Sequence, residues 1–125
     1  MPDHQPKLTR LATLVATLNT ETDALTERIE QFEDDLRRSN VGLEAWCPIP
    51  GSNQQLGYSK LDKNWGLALR PASQEDTTVP HALRHSPRHV RVAAVECFDD
   101  LLDALTQNAQ ELLDATVAAS KKLKS

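Results

Sequence analysis

At 125 residues and 13.9 kDa, the chain is sized for one compact domain rather than two. Its composition, 39% hydrophobic and 26% charged, excludes a disordered tail and a collagen-like sequence, and no apolar run approaches the length of a membrane span. A formal net charge of −4 repels phosphates on average, so nucleic acid is a disfavoured partner and any anion has to use a local basic patch.

The first residues, MPDHQPKLTR, lack the apolar stretch of a secretory signal, and Cys47 and Cys97 lie far apart without CxxC spacing. The expectation is a cytoplasmic protein with two reduced structural thiols.

Apolar residues then set the elements. Leu8, Leu11, Val15, Leu18, Thr22, Leu25, Ile29, Phe32 and Leu36 step alternately by three and four, a heptad seam with one polar member. This predicts helix 1 over about 7–39, ending where Asn40 and Gly42 supply left-handed backbone. From Val41 to Ile49 the period changes to two, with Val41, Leu43, Ala45, Cys47 and Ile49 on one face and Glu44 and Trp46 on the other. Strands at about 55–61 and 65–70 follow across short turns, giving a three-stranded antiparallel β-meander over about 41–70.

Residues 71–86 read as a loop, its first ten residues closed by prolines and expected to be exposed and mobile. Ser86 and Pro87 form a start signal in which the hydroxyl caps the helix and the proline occupies its first position. Helix 2 is predicted over about 87–122, because Phe98, Leu102, Leu105, Ala109, Leu112, Thr116, Ala119 and Leu123 repeat the heptad step. Lys121, Lys122 and Lys124 complement its dipole.

The fold class expected is therefore α+β, a single domain over 1–125 in which two long amphipathic helices flank the meander. At 1.5 Å per residue helix 1 is about 50 Å long, longer than a compact globule of this size, about 36 Å across. Antiparallel pairing of the helices leaves apolar flank such as Leu14, Leu101 and Leu113 uncovered. A second copy covers it in a dimeric helical bundle.

For function, His81, His85 and His89 have metal-like spacing, but Pro87 interrupts the helix they would need and no acid lies in 81–91. No metal or other cofactor is expected. Arg84, Arg88 and Arg91, with His85 and His89, form a basic stretch at a helix start that suits a phosphate or carboxylate. The same arginines equally suit the acids of helix 1. The acidic pairs Asp34–Asp35 and Asp99–Asp100 avoid the seams and read as solvated. No nucleophile, P-loop, dinucleotide or zinc-protease motif occurs, so no catalytic residue is assigned and no enzyme is expected.

Trp46, Tyr58 and Trp65 on a small sheet suit a protein-binding surface. The leading expectation is a non-catalytic assembly or adaptor protein. It forms a homodimer through Leu14, Leu18, Leu25, Phe32, Leu101, Leu105 and Leu112, and offers the meander aromatics to a protein partner. The alternative is a regulator that binds a phosphate-containing ligand or nucleic acid through 81–91.

Overall fold

The computed structural model describes residues 3–73 and 79–124. Among them the architecture is α+β: a long helix α1 (Gln5–Arg38), strands β1 (Ala45–Pro48), β2 (Gln54–Leu61), β3 (Asn64–Pro71) and β4 (His81–Ala82), a 3₁₀ turn (Leu83–His85), and helices α2 (Arg88–Val95) and α3 (Phe98–Lys124). The strands form one antiparallel sheet in the order β1-β2-β3-β4.

The meander is shorter at its start than the alternation suggests. Asn40 and Gly42 take φ values of 52° and 53°, which turns the chain out of α1 and delays β1 to Ala45. Asp62, at φ 57°, helps close the two-residue turn between Leu61 and Asn64, which face each other in the register. The expected three strands become four, because His81 and Ala82 pair with Leu69 and Ala68. Residues 74–78, within the segment expected to be mobile, lie outside the described residues.

One face of the sheet carries the core. Ala45, Cys47, Leu56, Tyr58, Leu67 and Leu69 are buried there, with Ile29 and Leu36 of α1, Leu83, Ala94 of α2, Cys97, and Leu101 and Leu105 of α3. α1 packs over β3, and α3 over β1 and β2. The predicted helix 2 is two helices: Cys97 N–H bonds to Ala94 O at 2.9 Å, a turn tighter than the α-helical one, and α3 restarts with Leu101 N–H on Cys97 O. The break sets both Ala94 and Leu101 into the core.

α2 also begins differently from the expected cap. Its N-cap is Pro87, no side chain caps it, and Ser86 instead closes the preceding turn through its backbone N–H on Leu83 O.

The helices do not run antiparallel. Arg88 bonds to Asn19, Arg91 to Thr26 and Phe98 stacks on Phe32, ring centroids 4.3 Å apart. Leu102 and Leu36 line one cavity. As α1 advances from Asn19 to Leu36, its neighbour advances from Arg88 to Leu102, so the two directions are the same. The three strands of the meander between them account for this: α1 rises, β1 descends, β2 rises, β3 descends, and the next helix starts from the lower end and rises beside α1.

An ion pair fixes α1 to the sheet. β4 covers only the far half of β3's edge, and on the near half Leu67 N–H donates to Glu33 Oε2 at 2.8 Å while Arg37 Nε donates to Trp65 O at 2.6 Å. Glu33 and Arg37 are themselves paired at 2.9 Å. Together they occupy the donor and acceptor that a neighbouring strand would take.

Candidate functional site

Exposure divides each long helix in two. Residues 5–21 of α1 and 106–124 of α3 are exposed throughout, and their apolar seams are exposed with them. Leu8, Leu11 and Leu14 are 55–56% accessible, Val15 and Leu18 over 40%, and Leu112 and Leu113 53% and 55%. Val117 and Leu123 extend the α3 stripe. Amphipathic helices that meet nothing with their apolar side are unusual in a monomer.

The residues expected at an interface therefore fall into different places. Leu14, Leu18 and Leu112 are exposed, Leu25 and Phe32 are half-buried against the core, and Leu101 and Leu105 are buried in it. The expectation that Leu101 is uncovered is corrected: the break at Cys97 turns it onto the sheet. Leu113 is left open.

The aromatics also separate. Tyr58 is buried on the helix-covered face and stacks on half-buried Trp65, centroids 5.4 Å apart. Trp46 alternates to the opposite face, where it lies flat on Gly57; a Cβ there would overlap the indole. Arg70 stacks over the ring at 4.1 Å, a cation–π contact, and its Nε donates to Gln55 Oε1 at 2.8 Å. Glu44 accepts from the indole N–H at 2.7 Å and from Ser59 at 3.0 Å. This outer face borders a cavity of about 550 Å³ lined by Trp46, Arg70, Glu44, Ser59 and Lys60 among others. The three aromatics are thus two surfaces, with Trp46 alone on the outer one.

In the basic stretch, Arg84, His85 and His89 are exposed and Arg88 and Arg91 half-buried. Arg88 Nη2 donates to Asn19 Oδ1 at 3.0 Å and Arg91 Nη1 to Thr26 Oγ1 at 2.6 Å. Two of the three guanidinium groups are thereby tied to neutral groups of α1 rather than to its acids. His81 belongs to β4, His85 to the 3₁₀ turn and His89 to α2, and no group of three metal-ligating side chains occurs among the described residues.

Cys47 and Cys97, distant in sequence, meet in the core. Both are free and buried, with Cys47 Sγ 3.9 Å from Cys97 O. Burial, with lesser contributions from Cys97 and Asp100, pushes the Cys47 thiol up to about 11, and burial raises Cys97 as well. Neither is an activated nucleophile at neutral pH.

Among the described residues no helix is long and apolar enough to cross a membrane. No protein-family model, curated protein or solved structure matches the chain.

Proposed function

We propose that the protein is a non-catalytic, self-associating adaptor: the exposed halves of α1 and α3 join copies of the chain, the homodimer being the smallest assembly, and the outer sheet face around Trp46 receives a protein partner. One observation carries this reading. Two long stretches of folded helix keep continuous apolar stripes in water, and burying them against a second copy removes that cost at roughly 25 cal/mol per Å² of apolar surface. Trp46 supports the second half, as a half-buried aromatic beside a cavity with charged neighbours is a favourable anchor for a partner side chain. The anion-binding alternative has weaker support, since Arg88 and Arg91 already serve α1.

Multi-angle light scattering over a dilution series tests the self-association. The expected result at micromolar protein is a mass above the 13.9 kDa of one chain, falling on dilution as mass action requires. A monomer at every concentration overturns the proposal.

A further inference from the structure

The two exposed arms leave the body at opposite ends, because α1 and α3 run in the same direction and one is exposed at its start and the other at its finish. One chain therefore cannot bring them together. Two copies stacked end on end can.

We propose that the protein assembles head to tail, with the exposed first half of α1 from one copy lying parallel to the exposed second half of α3 of the next. This rests on the self-association reading and adds its polarity and register.

Length agrees, since each arm spans about 25 Å at 1.5 Å per residue. Heptad phase agrees too: both seams carry the same alternation of steps, so one register aligns Leu8 with Ala109, Leu11 with Leu112, Val15 with Thr116, Leu18 with Ala119 and Thr22 with Leu123. In three of these five layers a large residue meets a small one, which lets the helices approach closely.

Charge favours the same sense. The register sets Arg10 level with Glu111, and Asp23 level with Lys124. A two-fold dimer that paired the α1 arm of each copy with the α3 arm of the other would instead set them antiparallel, with the basic start of α1, Lys7 and Arg10, along the basic finish of α3 at Lys121 and Lys124. Like charges brought level oppose that arrangement.

Continuity within the fold is the third support. Along α3, the chain's own α1 provides Phe32 and Leu36 beside Phe98 and Leu102 and then ends at Arg38. Beyond it Leu105, Thr106 and Ala109 line an open cavity of about 350 Å³ with Leu36 and Ser39. The proposed register starts the next copy's α1 at this level and in the same direction, so the arriving helix takes up the line that α1 leaves. An interface of this heterologous kind extends into a filament or closes as a ring.

Two variants test it, Leu11→Asp in the first arm and Leu112→Asp in the second, both at exposed positions that the folded body does not use. Each alone is expected to sediment as a single chain of 13.9 kDa, and an equimolar mixture to double that mass and go no further, one intact α1 arm joining one intact α3 arm. If the wild type oligomerises and either variant alone still does, or the mixture stays monomeric, head-to-tail polarity is overturned while self-association stands. A wild type that is monomeric at all concentrations overturns both.

Discussion

Gly57 shows how one hydrogen in place of a side chain positions a surface. Its residue pairs with Trp46 across β1 and β2, and the indole occupies the space a Cβ would need. Gly57→Ala is expected to cost about 1–3 kcal/mol, a typical overpacking penalty, and to free the indole from Arg70; urea unfolding and tryptophan fluorescence measure the two effects. The leucines divide just as sharply by position. Leu105, 5% accessible, is expected to cost about 2–5 kcal/mol when cut to Ala. Leu14, 56% accessible, should change the stability of the monomer by less than about 0.5 kcal/mol while weakening assembly. Sequence spacing placed both in greasy stripes and had no means of telling them apart, because burial here depends on where the sheet ends along each helix.

At the scale of elements, α1, β2 and β3 were legible almost to the residue, since a long heptad run and strict alternation are strong signals. β4 was not: two residues after Pro80 carry no periodicity. The helix break at Glu96 and Cys97 was equally silent, having neither glycine nor proline. The parallel sense of the helices follows from counting, as three antiparallel strands return the chain to its starting end. The Glu33–Arg37 spacing of four was also visible, but not its target, the main chain of Trp65 and Leu67. Glu33→Ala leaves the buried Leu67 N–H without its acceptor, so a loss of about 1–3 kcal/mol is expected. Amide hydrogen exchange at Leu67 should quicken more than at Leu56, whose strand keeps neighbours on both sides.

For the molecule as a whole, the length of the helices was the informative quantity: no globule of this size can swallow them, and residues 5–21 and 106–124 are left exposed. The candidate site was only half legible: exposed seam residues such as Leu18 and Leu112 were singled out, whereas grouping Trp46, Tyr58 and Trp65 together ignored the two faces that alternation gives a sheet. The carboxylate and guanidinium seated on the margin of β3 have a further consequence. A protein with a small sheet and greasy helices runs the hazard of growing by strand templating, as amyloid does. Here that stretch of flank is plugged, so a foreign strand finds neither the Leu67 N–H nor the Trp65 carbonyl open to pair with.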